Sequence, residues 1–240
     1  MVLFALAVAP GIAICFYIFF RDQYNPEPRK HLLISFMLGI LSAVPAITLQ
    51  YLMLPIESYP PTIVSVAIKA FFIVAFTEEL CKFVMLRYYA YRQPEFDEPF
   101  DGIVYGVMVS MGFATIENIA YVMKFGFTTA IIRMFISVPA HACFGILMGY
   151  HVGRAKFHAG HPFPYLMRGL FLAIFFHGSF DFFLFLKESD FVKEHVSDLY
   201  LIICALVMLV LGISLAIKAI REHIQISKQL YGKTEHDDLN

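Results

Sequence analysis

The sequence predicts an all-α polytopic membrane protein, because of its composition and its long apolar segments. Hydrophobic residues make up 59% of the 240-residue chain and charged residues only 15%, a balance typical of membrane proteins. A helix crosses the hydrocarbon core with about 20 residues. The short alternating segments of a β-barrel, the other membrane-spanning structure, are not seen in the sequence. Seven segments have the required length: 2–20, 31–54, 62–87, 101–123, 129–152, 165–186 and 198–218. We expect one domain, residues 1–240, folded as a bundle of about seven transmembrane helices.

The distribution of Lys and Arg predicts the orientation of this bundle. Arg21, Arg29 and Lys30 follow the first segment, whereas no basic residue precedes it. Basic residues concentrate on the cytoplasmic side of membrane proteins. We therefore expect the N-terminus outside and the C-terminus in the cytoplasm, with a short tail over about residues 219–240. The first segment lacks the basic start of a signal peptide and is expected to remain as a helix.

The charge balance also indicates the surroundings of the protein. The formal net charge is −1, so the chain lacks the general basic surface of a nucleic-acid-binding protein. We expect the lipid bilayer as its surroundings and no nucleic acid as a partner.

Two adjacent glutamates and a lysine interrupt the third apolar segment, in the pattern Glu78-Glu79-x-x-Lys82. A charged side chain near the middle of a transmembrane helix costs roughly 2.5 to 3.5 kcal/mol. Glu78 and Lys82 share a helix face, so an ion pair between them accounts for one glutamate and leaves Glu79 unexplained. Two neighbouring carboxylates in apolar surroundings do not both ionise readily, and one of them can take up and return a proton. The pattern favours a catalytic site over a purely structural ion pair.

Other ionisable residues recur in the following segments. Asp181 lies four residues after His177, Glu117 lies in the fourth segment and His141 in the fifth. With a rise of about 1.5 Å per residue, Glu78, Glu117 and both histidines lie roughly 15 to 22 Å from the predicted cytoplasmic edge. We therefore expect four helices to bring these groups to one level of the membrane.

Each of these polar residues also has a structural interpretation. His141 and His177 can be hydrogen-bonded packing residues, and Asn118 can join two helices. His177 is favoured as a site residue because Asp181, one turn away, can fix its tautomer as in hydrolytic sites. Glu117 is favoured because it is costly unless it is protonated, paired or bound to a cation. The role of His141 stays open between packing and the site.

Asp101 stands between a Pro-rich acidic turn, residues 93–100, and the fourth segment. A carboxylate in that position accepts hydrogen bonds from the free amides of a helix's first turn. We predict that Asp101 caps the fourth helix and has no catalytic role.

Three motifs resemble those of the PrsW family of intramembrane proteases. They are Glu78-Glu79-x-x-Lys82, then Asp101-Gly102-x-x-Tyr105-Gly106 with Gly112-Phe113-Ala114-x-x-Glu117-Asn118-x-x-Tyr121, then His177-Gly178-x-x-Asp181. The motifs occur in the family's order, whereas the first two helices and the last carry no diagnostic motif. This family is related to a wider superfamily of CAAX proteases and bacteriocin-processing proteins. Lys82 stands where that superfamily has an Arg, and Glu117 stands where it has a His. The charge and metal preference of the site are therefore expected to differ from those of the wider superfamily.

The resemblance implies an endopeptidase of the bacterial cytoplasmic membrane, with its motif-bearing core over about residues 62–187. Glu78 would activate water beside Glu79. His177 would polarise the carbonyl or protonate the leaving amine, and Asp181 would orient it. Glu117 would complete the catalytic set. Three residues would surround these groups: Lys82, Asn118 and Phe113.

The resemblance also implies a cofactor and a substrate class. PrsW proteins are sometimes described as metalloproteases, and Glu78, Glu117, His141 and His177 carry ligand types that suit Zn²⁺. No H-E-x-x-H spacing is present, so a metal-free mechanism stays open. The implied substrates are single-span membrane proteins, in particular anti-sigma factors, cleaved in the first step of a stress-response cascade.

Two other classes of protein stay open from the residues alone. A proton-coupled transporter would use the Glu and His residues as a relay, although transporters often show two related halves, which this sequence does not. A receptor or scaffold would have no use for the intramembrane polar residues.

Overall fold

The computed structural model describes residues 1–56 and 61–232. Within these ranges every regular element is helical. The α-helices are α1 (Val2–Arg21), α2 (Arg29–Met53), α3 (Ile63–Ile68), α4 (Phe76–Tyr88), α5 (Pro99–Phe125), α6 (Phe127–Phe135), α7 (Ser137–Phe157), α8 (Phe163–Phe185), α9 (Asp190–His195) and α10 (Asp198–Tyr231).

The all-α polytopic fold predicted from the sequence is confirmed. Among the described residues, six helical stretches are long and apolar enough to cross a membrane. They correspond to six of the seven predicted spans. The remaining span, predicted at 62–87, is helical throughout but consists of α3, a π-helical segment and α4. The orientation of the bundle remains a prediction.

The π-helical segment, Lys69–Ala75, leads directly into the helix that carries the two glutamates. Such wide turns insert a residue into the α-helical ladder and occur frequently at functional sites. Phe71 of this segment packs on Gly178 of α8, where an added Cβ would lie 2.4 Å from the Phe71 ring. The segment therefore lies directly against the neighbour of His177.

Helix α5 forms the centre of the bundle and packs closely on α7 through glycines. A Cβ built on Gly149 would lie 2.1 Å from the carbonyl oxygen of Gly102, and one on Gly106 would lie 2.6 Å from that of Gly145. Small residues allow transmembrane helices to approach to backbone contact in this way. The close approach fixes α5, which carries Glu117, relative to α7, which carries His141.

The ends of several helices differ from the predicted ones. Helix α10 continues to Tyr231, so most of the predicted tail is helix, and residues 233–240 lie outside the described residues. Helix α5 begins at Pro99, after Glu98, in a capping box that Glu98 forms with Asp101. Asp101 accepts hydrogen bonds from the amides of Asp97 and Glu98 at 2.8 Å each. The prediction that Asp101 receives first-turn amides was wrong because the helix starts earlier than expected.

Candidate active site

A cavity of about 940 Å³ opens between the helices and contains most of the polar residues predicted for the site. Phe113 forms part of its wall, as predicted. A cavity with a few convergent polar groups is the usual form of a binding or catalytic site. The ionisable residues of the wall include Glu78, Glu117, His141, His177 and Asp181.

Glu78 and Glu79 both lie in the first turn of α4 but have different surroundings. Glu78 lines the cavity; its Oε1 accepts a hydrogen bond from Gln50 Nε2 at 3.2 Å, and its Oε2 is buried without a hydrogen-bond partner in the described chain. Glu79 is fully buried, and its Oε1 lies 2.7 Å from Lys82 Nζ and 2.8 Å from His177 Nδ1. Successive residues of a helix point about 100° apart. Glu78 is therefore the carboxylate presented to the cavity.

Lys82 supplies a buried positive charge behind this pair. Its Nζ lies 2.7 Å from Glu79 Oε1 and 3.7 Å from Glu78 Oε2. The same ammonium lies 3.3 Å from His141 Nδ1 and 4.1 Å from the centre of the Phe113 ring, where it gains a cation–π contact. The carboxylate nearest to Lys82 is therefore that of Glu79, whereas the ion pair considered from the sequence was between Lys82 and Glu78.

His177 connects the two glutamates to Asp181. Its Nδ1 faces Glu79, while its Nε2 lies 3.2 Å from Asp181 Oδ2 and 4.0 Å from Glu78 Oε2. The ring stacks on Phe144 with 4.9 Å between the centroids. Both nitrogens thus have a carboxylate neighbour, and a ring held in this way has a fixed orientation toward the cavity.

His141 forms a second line of contacts through Glu117. Its Nε2 lies 3.0 Å from Glu117 Oε2, which also accepts a hydrogen bond from Arg133 at 2.7 Å. The His141 and His177 rings meet edge to face with 5.3 Å between their centroids. His141, left open by the sequence, therefore belongs to the same cluster of contacts as Glu117 and His177.

Asn118 does not line the cavity with the other predicted residues. Its amide donates to the carbonyl oxygen of Ala7 in α1 at 2.7 Å, and its Oδ1 accepts from Arg133 Nε at 2.8 Å. These contacts join three helices. The structure thus gives Asn118 the helix-joining role that the sequence left open for it.

Three residues of this cluster were not identified from the sequence. Gln50 lies in the predicted second span and Arg133 in the predicted fifth, and a strongly polar side chain inside a span is a signal that could have identified both. Phe144 carried no signal, because the chain has 26 Phe residues and only the fold shows which of them stacks on His177.

The residues of this cluster fit a zinc-type ion. Glu78, Glu79, His141 and His177 each offer a ligand atom, and these atoms lie within 4.8 Å of one another. Carboxylate oxygen and imidazole nitrogen are ligands of Zn²⁺, and the second oxygens of both glutamates are buried without a partner among the described residues. Glu117 is not in this group; it contacts His141 Nε2, the position of a carboxylate that orients a metal-binding histidine.

The same group already surrounds a positive charge. The Lys82 ammonium contacts Glu79 Oε1 and His141 Nδ1. A metal ion coordinated by Nδ1 of His141 would have to displace Lys82 from that contact, and the ammonium also lies 3.7 Å from Glu78 Oε2.

The fold and this cluster define a multi-pass membrane protein with an acid–base site enclosed by its helices. Comparison with known proteins specifies the family. The model of the PrsW family of intramembrane metalloproteases matches residues 27–213. The chain therefore belongs to the PrsW family. It is a peptidase of the bacterial cell membrane.

Individual relatives agree with this assignment. The chain is 39% identical over 186 residues to Protease PrsW of Geobacillus kaustophilus, covering 78% of this chain and 81% of that protein. It is 38% identical over 178 residues to Protease PrsW of Shouchella clausii, covering 74% and 81%. With Protease PrsW of Bacillus subtilis it shares 38% over 182 residues, covering 74% and 80%. No solved structure matches this chain.

Proposed function

We propose that this peptidase cleaves single-span membrane proteins with water activated by Glu78. The observation that carries the proposal is that Glu78 lines the cavity and that its Oε2, which has no hydrogen-bond partner among the described residues, lies 4.0 Å from His177 Nε2. Peptide hydrolysis without a Ser or Cys nucleophile needs a base for water and a donor for the carbonyl or the leaving amine. Glu78 and His177 supply these two roles from facing helices.

Glu78 acts as the general base. A water molecule beside its free Oε2 transfers a proton to the carboxylate as the oxygen attacks the substrate carbonyl carbon. Gln50 holds the other oxygen, Oε1, and so limits rotation of the carboxylate. Glu79 is enclosed by Lys82 and His177 and acts by positioning them.

His177 stabilises the charge that develops and donates its own proton to the leaving amine as the C–N bond breaks; the proton held by Glu78 then passes to His177 and restores both groups. Its Nε2 points toward Asp181 and Glu78, so a proton on this nitrogen can be shared with the carbonyl oxygen or passed to the leaving nitrogen. Asp181 orients the ring and stabilises its cationic form. Glu117 is proposed to hold His141 in place through its contact with Nε2.

A bound zinc-type ion would be held by Glu78, Glu79, His141 and His177, and it would polarise the carbonyl and lower the pKa of bound water. The roles of Glu117 and Asp181 in orienting the two histidines are the same with or without the ion, whereas Lys82 would have to leave His141 Nδ1 if a metal bound that atom. The donor set supports a metal, and the Lys82 contact opposes one.

The shape of the cavity supports a membrane-protein substrate. Its wall continues from Glu78 to the ends of α5 and α8, where Phe125, Lys187 and Glu188 line it. Water can enter from that end of the bundle, which the predicted orientation places outside the cytoplasm. A substrate backbone must leave its helix before an amide can react, because helical amides are already hydrogen-bonded. We therefore propose cleavage near the outer end of a single transmembrane helix, with anti-sigma factors as the candidate substrates that the family resemblance implies.

The test is cleavage of defined substrates by the purified chain in liposomes. Candidate single-span proteins, tagged at both ends, are incubated with the protein before and after treatment with a zinc chelator, and the cut is located by mass spectrometry. We expect a cut near the outer end of the span, lost with the chelator and restored by Zn²⁺. Cleavage unaffected by the chelator would exclude the metal. Proton flux without any cleaved product would favour the transporter instead.

A further inference from the structure

A second cluster of carboxylates lies at the opposite end of α5 from the active site. Asp22 follows α1, Glu27 precedes α2, Glu98 precedes α5, and Asp101 lies in the first turn of α5. All four are buried, with exposed fractions of 2%, 4%, 0% and 0%. Asp101 and Glu117 are sixteen residues apart in α5, or roughly 24 Å along the helix. The cluster is therefore separate from the cavity that contains Glu78.

Each of these carboxylates has one oxygen in a hydrogen bond. Asp22 accepts from the Glu27 amide at 2.9 Å, and Asp101 accepts from two backbone amides. Glu27 accepts from the hydroxyl of Tyr105. Glu98 accepts from the hydroxyl of Ser227 in α10 at 2.8 Å. These bonds fix the carboxylates but use only one oxygen of each.

The other oxygen of each carboxylate is buried and has no hydrogen-bond partner among the described residues. These atoms are Asp22 Oδ1, Glu27 Oε1, Glu98 Oε2 and Asp101 Oδ1. A single unsatisfied buried carboxylate oxygen is costly, so four of them near one another require compensation by a bound cation or by protons on the carboxylates.

No basic side chain of the described chain forms an ion pair with these four carboxylates. Lys156 is near, but its ammonium donates to the Gln93 carbonyl at 3.0 Å and lies 4.5 Å from the centre of the Phe96 ring. Buried carboxylates need a compensating charge or protons. Burial raises the pKa of Asp22 to about 6 and the pKa of Glu98 to about 7, so protons are the alternative to a cation here.

The geometry favours a cation. Asp22, Glu98 and Asp101 offer oxygen atoms that lie within 4.8 Å of one another, and oxygen ligands on opposite sides of Ca²⁺ are separated by about 5 Å, twice the bond length. Carboxylates without His or Cys select hard cations over zinc. We propose that Asp22, Glu98 and Asp101, with Glu27 beside them, bind one hard divalent cation, Ca²⁺ or Mg²⁺.

Such an ion would hold three helices together. Asp22 directly follows α1, Asp101 lies in the first turn of α5, and Glu98 accepts a hydrogen bond from Ser227 of α10. Ion binding to the folded state alone stabilises it. The cation site thus fixes the end of the bundle that the predicted orientation places at the cytoplasmic face.

The test measures cation binding and thermal stability of the full chain in detergent. After chelation, the wild type is titrated separately with Ca²⁺ and with Mg²⁺ by calorimetry, and its melting temperature is recorded with each ion. The test variant is Asp22→Asn/Asp101→Asn. The matched control is Asp97→Asn, which removes an exposed carboxylate beside the cluster. All three proteins keep the active-site residues unchanged, so any ion bound there contributes equally.

We expect the wild type and Asp97→Asn to bind one Ca²⁺ or Mg²⁺ and to melt several degrees higher with it. The double variant should lose this binding and the increase in melting temperature. A wild type that neither binds nor is stabilised by either ion would overturn the proposal even if the variants fail to fold, and would indicate shared protons. Equal binding by the double variant would overturn it too.

Discussion

Two neighbouring glutamates of α4 occupy different environments because a helix rotates them apart. Glu78 faces the cavity with a free oxygen, whereas Glu79 is enclosed by Lys82 and His177. An enclosed carboxylate cannot reach a substrate, but it can fix the groups that do. This difference is why we propose Glu78 as the base and Glu79 as a positioning residue.

Lys82 should be essential for the stability of this arrangement. Replacing it in Lys82→Met leaves Glu79 as an uncompensated buried charge, for which we expect the free energy of unfolding to fall by about 3 to 5 kcal/mol. Adding Glu79→Gln removes that charge and should restore much of the loss. The free energy of unfolding in mixed detergent micelles is measured for the wild type, Lys82→Met and the double variant. If Lys82→Met had the same free energy of unfolding as the wild type, Lys82 and Glu79 would not form a buried ion pair.

Asp181 should affect turnover through the orientation of His177. In Asp181→Asn we expect kcat to fall by roughly 10- to 100-fold with little change in KM. The loss is partial because Glu79 still holds Nδ1 of the ring. The control is Asp190→Asn, whose side chain is exposed, and it should behave as the wild type. A rise in KM with kcat unchanged would instead make Asp181 a substrate-binding residue.

The sequence identified the costly residues of the site but not their partners. Glu78, Glu117 and His177 stand out because ionisable groups are rare in apolar helices. Gln50 contacts Glu78 from α2, and nothing in the spacing of either residue predicts this contact. The acidic cluster was missed because Asp22 and Glu98 flank predicted helices, where carboxylates are ordinarily solvated.

At the scale of elements, spacing predicted the helices but not their irregularities. The predicted third span is interrupted by the π-helical segment Lys69–Ala75, and the fifth is broken into α6 and α7 at Ile136. Apart from Lys69, these residues are apolar, and all of them are compatible with a regular helix. The packing of Phe71 on Gly178 and the contacts of Arg133 with α5 are tertiary effects that a single segment does not encode.

The glycine contact between α5 and α7 should not tolerate a methyl group. In Gly149→Ala the Cβ would meet the Gly102 carbonyl at 2.1 Å, so the backbones must separate, at a cost of about 1 to 3 kcal/mol in unfolding free energy. The matched variant is Gly212→Ala, where the nearest atom would be 3.5 Å away. It should be neutral or up to about 1 kcal/mol more stable, because Ala favours helix. Equal stability of the two variants would contradict the close approach of α5 and α7.

At the scale of the whole molecule, α5 connects two buried polar clusters inside an apolar bundle. Its first turn carries Asp101, and its second half carries Glu117. Apolar side chains of α1, α2 and α10 are exposed on the outer surface, where lipid would contact them. The bundle thus encloses the cavity and its ionisable residues, which we propose as the hydrolytic site.

The central claim is that Glu78 activates the water that cleaves the substrate. The most direct measurement compares cleavage of one single-span substrate by wild type, Glu78→Gln and the exposed control Glu194→Gln, all in liposomes and with equal amounts of folded protein. We expect the cleavage rate of Glu78→Gln to be at least roughly 100-fold lower than that of the wild type. The cleavage rate of Glu194→Gln should match the wild type. A folded Glu78→Gln protein that cleaves at the wild-type rate would contradict the claim.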